Sequence, residues 1–267
     1  MPEGHTVHRI ANQFHELFLI QPVTITSPQG RFSVSAGQIS GQKLIRSYAV
    51  GKQMFLEFEN DLTLRIHLGI YGKWRFHDIS ATQQVPQIIG EVRARFASAS
   101  WVVDLRGPTV CEVVDQDAVR QVLKRLGPDP LNANPKQRES ERFINKVLAS
   151  KVEIGKLLMN QEVISGIGNV YRCEILFRHE IEPHTPGNKL SREQLQNIWD
   201  DCVKLLRVGV RTGFMITRDE LFTKRTTKET RNWIYKREGQ PCRRCGTEIK
   251  LELMQARKLY WCPGCQK

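Results

Sequence analysis

Four cysteines near the C-terminus carry the clearest chemical spacing in this chain. Cys242-Arg-Arg-Cys245 and Cys262-Pro-Gly-Cys265 form a C-x2-C-x16-C-x2-C pattern. Each C-x-x-C knuckle aims two sulfurs at one point, so two of them can deliver four thiolates to one tetrahedral cation. The expectation is one structural Zn2+ held by Cys242, Cys245, Cys262 and Cys265. Two knuckles at this distance argue against a redox C-x-x-C site; disulfides are the other alternative. Between the pairs, Ile249, Leu251, Leu253, Leu259 and Tyr260 alternate as in a β-hairpin. Four protein ligands close such a site, so the metal is not expected to activate water.

The other end of the chain offers a different chemistry. Methionine before proline is normally removed, which would leave Pro2 with a free secondary amine. An α-amino group has a pKa of about 7.7–8.0 and is partly neutral at cellular pH. A neutral amine can attack an electrophilic carbon and form an iminium, and Glu3 beside it could move the protons. A helix beginning near residue 5 would add a positive dipole that favours the neutral amine. Many chains begin Met-Pro without using it, so this start has an inert reading too. Lys52, in Ala49-Val-Gly-Lys-Gln53, is a second amine at an expected hairpin tip, where a solvated turn lysine is the ordinary alternative.

Gly166-Ile-Gly168-Asn169 sits between two helical stretches. Glycines there allow close backbone approach, and N–H groups at a helix N-terminus suit a phosphate; a plain helix–helix turn is the alternative. Lys224, Arg225, Lys228, Arg231, Lys236, Arg237, Arg243 and Arg244 crowd the approach to the cysteines, and Arg257 falls near the hairpin tip. These could contact phosphates or form a solvated face. The chain of 267 residues has a formal net charge of +12, which favours a polyanionic partner. No run of eighteen apolar residues exists and no leader is visible, so no membrane is expected. Cys111, Cys173 and Cys202 read as reduced, packed thiols of a cytoplasmic protein.

The elements that must hold these groups follow from periodicity. Val7, Ile10, Ala11, Phe14, Leu17 and Phe18 predict an amphipathic helix over 5–19. Short β-rich runs at 23–26, 43–49, 54–58, 62–66, 92–96 and 101–104 predict a sandwich or small barrel. A short helix is expected over 117–126, and 127–135 is a breaker-rich linker. Helices follow at about 139–150, 153–163, 168–180 and 191–208, the last opened by a Ser191/Gln194 capping box. The fold class is α+β, laid out as 1–126, a hinge at 127–138, a helical domain at 139–232 and the cysteine ribbon at 233–267.

Together these residues resemble the formamidopyrimidine-DNA glycosylase/endonuclease VIII family. The resemblance rests on Pro2-Glu3-Gly4, Gly51-Lys52, His67-Leu-Gly-Ile-Tyr-Gly72, Leu126-Gly-Pro-Asp-Pro-Leu131, Gly166-Ile-Gly-Asn-Val-Tyr171 and Tyr260-Trp-Cys-Pro-Gly-Cys-Gln266. It implies an N-terminal β-sandwich with flanking helices, a helix-two-turn-helix domain and a four-Cys zinc finger, with damaged double-stranded DNA between them. It implies a monomeric glycosylase and abasic-site lyase of base excision repair, cytoplasmic and associated with the nucleoid through DNA. Pro2 would form the Schiff base and Glu3 would shuttle protons. Lys52 would donate a proton, and Arg257 would grip phosphate during β,δ-elimination. Arg125, Gly168 and Asn169 would contact the DNA backbone. Ile70 and Tyr71 would fill the gap left by a flipped nucleotide, with core packing as their alternative.

The Ile70-Tyr71 pair and the ending around Cys262 look like endonuclease VIII and lean toward oxidised pyrimidines. Asp104-Leu-Arg-Gly-Pro-Thr109 has no Phe beside Arg106, which leans the same way. Two positions depart from the family pattern. Thr6 stands where a second Glu is usual, and Gly69 stands where endonuclease VIII carries a longer polar residue. The alternatives are an enzyme acting mainly on abasic sites or on oxidised purines, and a non-catalytic zinc-ribbon DNA-binding protein.

Overall fold

The computed structural model describes residues 2–133 and 138–267. The chain divides into two compact units, Met1–Arg125 and Leu126–Lys267.

The first unit is a sandwich of two four-stranded antiparallel sheets. One sheet has the order β1 (Thr24–Thr26), β6 (Ala94–Ala97), β7 (Trp101–Arg106), β5 (Lys73–Asp78). The other has β2 (Leu44–Val50), β3 (Gln53–Phe58), β4 (Thr63–His67), β8 (Val110–Val114). Alternating residues of both sheets, such as Phe96, Val103 and Leu105 facing Met54, Leu56 and Ile66, share one buried core. Helix α1 (Gly4–Phe18) belongs to that core, as its apolar spacing requires. Its Phe14 ring packs edge-on against Trp74, Phe76 and Phe96 of one sheet. Its Ala11 carbonyl accepts the Ser47 hydroxyl of β2, in the other sheet, at 2.8 Å. The predicted runs all lie in strands, but β5, β8 and the short helix α2 (Ser33–Ile39) were not anticipated. β5 had a readable signal: Trp74 and Phe76 alternate with Lys73, Arg75 and His77. Helix α3 (Gln116–Arg125) closes the unit.

The second unit is helical and ends in a hairpin. Its helices are α4 (Glu139–Leu148), α5 (Ile154–Leu157), α6 (Asn169–Arg178) and α7 (Arg192–Thr212). The Ser191/Gln194 capping box at the start of α7 is present. The helix expected over 153–163 is a single turn. Asn160 accepts the backbone N–H of Glu162 through its side chain at 2.9 Å, an Asx-type bond that competes with helix continuation. Gly127 to Pro130 is buried rather than an exposed tether. Gly127 N–H donates to Gln161 and Ser165 N–H donates to the Pro128 carbonyl, both within the second unit. Residues 134–137 of the expected hinge lie outside the described residues.

Every residue of α6 from Asn169 to Phe177 is buried. A helix buried all round must satisfy its polar groups internally. Glu174 does so by accepting the backbone N–H groups of Trp233, Ile234 and Tyr235 at 2.7–2.9 Å, and the Thr217 hydroxyl. The hairpin of β9 (Lys250–Met254) and β10 (Arg257–Trp261) packs on α6 through a core of Cys173, Phe177, Met254, Leu259 and Tyr260. The expected alternation holds only in part. Ile249, Leu259 and Tyr260 are buried, whereas Leu253 is 76% exposed. Hairpins covered on one side bury one strand face and leave the other in water.

Candidate active site and metal centre

Strand register brings Pro2, Glu3, Lys52, Ile70 and Tyr71 to one end of the first unit's sandwich. Leu19, just past α1, bridges Leu44 at the start of β2, and Ala11 meets Ser47 further along. Helix and strand therefore run in opposite directions. From Ala11 to the start of α1 is about 10 Å at 1.5 Å per residue, and from Ser47 to the end of β2 is also about 10 Å. Pro2 and Glu3 thus lie at the same end as the β2–β3 tip. At that tip Val50 pairs with Gln53 across a two-residue Gly51-Lys52 turn, with Gly51 at φ 58°. Positive φ at the first central residue alone fits a type II′ turn. Gln53 pairs with His67, and His67 with Val110. The turn holding Ile70 and Tyr71 follows directly.

Each of these groups has a defined environment. Glu3 caps α1 with extended backbone, and Thr6 and Val7 donate to its carbonyl. Its side chain is fully buried. Thr6, at the departing position, lies 3.1 Å from Nε2 of buried His5. Ile70 is 41% exposed and Tyr71 83% exposed, so neither is core packing. His67 opens the His67-Leu-Gly-Ile-Tyr-Gly72 segment and is a further group at this end. Burial, then the charges of Lys52 and Arg65, pull its imidazole below the ordinary value. It is therefore a neutral group beside Lys52. Arg125 is exposed at the C-terminus of α3.

In the second unit the glycine-rich break is organised by Gln161. Its side chain accepts the Gly166 N–H at 3.0 Å and donates to the Ile167 carbonyl at 2.9 Å. The Gly166 N–H is thus already bonded within the protein. Gly168 is the N-cap of α6. Asn169 is buried; its amide donates to the Lys258 carbonyl at 2.8 Å and its carbonyl accepts from Arg172. Arg172 is itself fully buried. These bonds tie the start of α6 to the backbone beside Arg257. Arg257 begins β10 immediately after a two-residue turn, Gln255-Ala256, with both residues at positive φ (51° and 56°). That is the type I′ pattern, unusual without Gly or Asn.

The basic residues near the cysteines divide by role. Lys224, Arg225, Lys228 and Lys236 are exposed. Arg237 instead donates to the carbonyls of Trp233 and Pro241. Arg244 pairs with Glu180 at 2.6 Å and lies over the Phe177 ring.

The four cysteine sulfurs converge within 4.8 Å of one another. Cys242 and Cys265 are 3.9 Å apart at sulfur, and Cys245 and Cys262 are 3.5 Å apart. A tetrahedron of sulfurs about 2.3 Å from a zinc has edges of about 3.8 Å. Disulfides require about 2.05 Å, so these thiols are not cross-linked. The donor set fits one four-coordinate cation. Hydrogen bonding from Thr247 pulls Cys245 down to about 6, whereas burial pushes Cys262 and Cys265 up. Cys173 and Cys202 are buried and Cys111 half-buried, with burial raising Cys111 to about 12 and Cys173 to about 11. They are packing thiols, as expected. Among the described residues no helix is long and apolar enough to cross a membrane.

Comparison with known proteins accounts for both units. Residues 1–111 match the formamidopyrimidine-DNA glycosylase N-terminal domain, and residues 126–220 match the formamidopyrimidine-DNA glycosylase H2TH domain. Residues 239–267 match the zinc finger found in FPG and IleRS. The chain is 41% identical over 272 residues to "Endonuclease 8 1" of Mycobacterium tuberculosis, covering all of both chains. It is 30% identical over 277 residues to "Endonuclease 8" of Escherichia coli, again over the full length of both. Its fold is similar to that of Lactococcus lactis Fpg (MutM) solved with N7-benzyl-Fapy-dG DNA, with TM-score 0.81, 22% identity and full coverage of both chains. The same protein bound non-covalently to DNA containing an AP site matches with TM-score 0.79, 20% identity and 99% coverage of each chain.

Proposed function

The chain belongs to the formamidopyrimidine-DNA glycosylase/endonuclease 8 family of base-excision-repair glycosylases, and from that premise we propose that it removes oxidised pyrimidines from double-stranded DNA and cuts the strand through Pro2. The observation that carries this reading is the gathering of Pro2, buried Glu3, Lys52 and the exposed Ile70–Tyr71 pair at one end of the sandwich.

With Met1 removed, the Pro2 nitrogen attacks C1′ of the damaged nucleotide. The C1′–N bond to the base breaks and the base leaves with a proton. Opening of the sugar gives an iminium on Pro2, the ring oxygen taking up a proton. Glu3 relays these protons, and Lys52 donates at the leaving oxygen. Loss of a C2′ proton then expels the 3′ phosphate, and loss of a C4′ proton expels the 5′ phosphate. Water finally frees Pro2. Arg257 holds phosphate during the eliminations, and Arg125, Gly168 and Asn169 lie along the DNA backbone. Asn169 has a second amide hydrogen beyond the one given to Lys258. Cys242, Cys245, Cys262 and Cys265 would hold a Zn2+, which would supply a closed structural centre for the hairpin that carries Arg257. Ile70 and Tyr71 occupy the space left by the extruded nucleotide.

Borohydride trapping tests this. Duplexes carrying an abasic site, thymine glycol or 8-oxoguanine are incubated with the protein and reductant. A covalent adduct on the abasic duplex, lost in Pro2→Gly and with an N-terminal tag, is expected. Thymine glycol is expected to be trapped faster than 8-oxoguanine. Trapping on abasic DNA alone favours a lyase limited by Thr6, which Thr6→Glu would then relieve. DNA binding with no adduct on any duplex overturns the enzymatic reading.

A further inference from the structure

We infer that Gly69 and Thr109 form a lock that holds the Ile70–Tyr71 turn in one conformation, making the apolar pair a preformed wedge. This rests on the function proposed above, in which the pair enters the DNA stack. Thr109 and Gly69 are positioning residues in this view.

The turn crosses from β4 in one sheet to β5 in the other, and the loop 107–109 makes a similar crossing from β7 to β8 beside it. The two crossings interlock. Gly69 has φ +64°, and a Cβ added there would stand 1.9 Å from the Thr109 hydroxyl and 3.1 Å from its Cβ. The Thr109 N–H donates to the His67 carbonyl at 2.9 Å, which fixes Thr109 against the strand end. Gly72 N–H donates to the Leu68 carbonyl at 2.9 Å and closes the turn. A Cβ at Gly72 would lie 2.2 Å from that same oxygen, and backbone cannot move aside cheaply. Gly107, φ +55°, faces the Tyr71 carbonyl.

Glycines at 69 and 72 are therefore places of close approach, and they do not make this turn loose. Leu68 is buried and anchors one side, while Ile70 and Tyr71 project. Adjacent projecting apolar side chains such as these are of the kind that can insert between base steps. A group already held in its bound geometry loses little freedom on entering DNA.

The test uses the full chain and Gly69→Ala, Thr109→Gly, Thr109→Ser and the Gly69→Ala/Thr109→Gly double variant. Strand cleavage is compared on a duplex abasic site and on a single-stranded abasic oligonucleotide, which needs no extrusion from a stack. Gly69→Ala is expected to lower the duplex rate about tenfold more than the single-strand rate, since small misplacements near a reacting centre cost at least that much. The double variant should recover part of this ratio, because the overlap is gone while the positive-φ strain persists. Should Gly69→Ala fail to fold, Thr109→Gly must lower the ratio and Thr109→Ser must keep it. Amide exchange over 68–72 gives a readout independent of catalysis, expected to be about tenfold faster in Thr109→Gly. Equal losses on both substrates in folded Gly69→Ala, or an unchanged ratio and exchange rate in Thr109→Gly, overturn the lock. Absence of cleavage and trapping by the wild type would instead sink the proposed function, leaving the exchange result to judge the lock.

Discussion

The side-chain amide of Asn169 donates to the backbone carbonyl of Lys258 at 2.8 Å, joining the first residue of α6 to the second residue of β10. Its own carbonyl takes a hydrogen bond from fully buried Arg172. The helix start and the strand that carries Arg257 are thus bonded directly to each other within the second unit.

Asn169→Ala removes both bonds and leaves a buried guanidinium short of an acceptor. We expect a stability loss of about 2–3 kcal/mol in urea unfolding. Asn169→Asp keeps the acceptor for Arg172 but loses the donor to Lys258, so it should fall between the wild type and alanine. A loss below about 0.5 kcal/mol in Asn169→Ala would contradict the tie.

Glu174 is the buried anchor of residues 233–235. Glu174→Ala leaves three backbone N–H groups without their acceptor and should cost about 3 kcal/mol or more. Glu174→Gln retains one acceptor oxygen and should cost less. Denaturant midpoints measure both. An alanine variant as stable as the wild type would show that water replaces the carboxylate.

His184 joins the hairpin to the segment before α5. It lies 2.6 Å from Glu252 and 3.2 Å from Glu153. Burial pulls its imidazole down, but the hydrogen bonds its ring donates to both carboxylates outweigh this and leave it above the ordinary value. A raised folded pKa contributes stability that is full below the unfolded value of 6.5 and is lost as pH rises through the folded pKa. Glu153, bonded first to Lys156 and also to His184, is lowered, so its contribution fades as pH falls below 4.5. The melting-temperature difference between wild type and His184→Gln should therefore be larger at pH 5.5 than at pH 8.5. The group is partly exposed, so the effect will be small and reduced by salt. A difference that grows at pH 8.5 would refute this.

Metal removal should act locally. Native mass spectrometry should find one zinc per chain, and none in a Cys242→Ser/Cys265→Ser variant. A strong chelator should melt the hairpin core of Met254, Leu259 and Tyr260, because metal binding supplies folding free energy to such small elements. The helical core of Phe143, Leu158, Ile175, Leu195 and Leu206 should stay folded, since it stands apart from the cysteines. Loss of all helical circular dichroism on chelation would contradict that separation.

Much of this architecture was legible locally. The apolar spacing of Val7, Ile10 and Phe14 places α1, the Ser191/Gln194 pair starts α7, and two C-x-x-C knuckles announce a metal site. The helix expected over 153–163 was not legible, because the Asn160 side chain takes the Glu162 N–H and ends regular bonding. β8 was hidden because Val110-Cys111-Glu112-Val113-Val114 does not alternate cleanly between apolar and polar residues, although Cys111 and Val113 pack against the core.

The chain by itself determined the identities of its chemical groups, its main periodic elements and its family, because those depend on residue types and spacings a few positions apart. Tertiary structure alone decided how they act together. Register aligned Glu3, Lys52, His67 and Tyr71 at one sandwich end, and close packing set Gly69 against Thr109. Asn169 found its partner 89 residues away. A buried polar group must satisfy its hydrogen bonds with whatever the fold places beside it, and that neighbour is a property of the packing rather than of the local sequence.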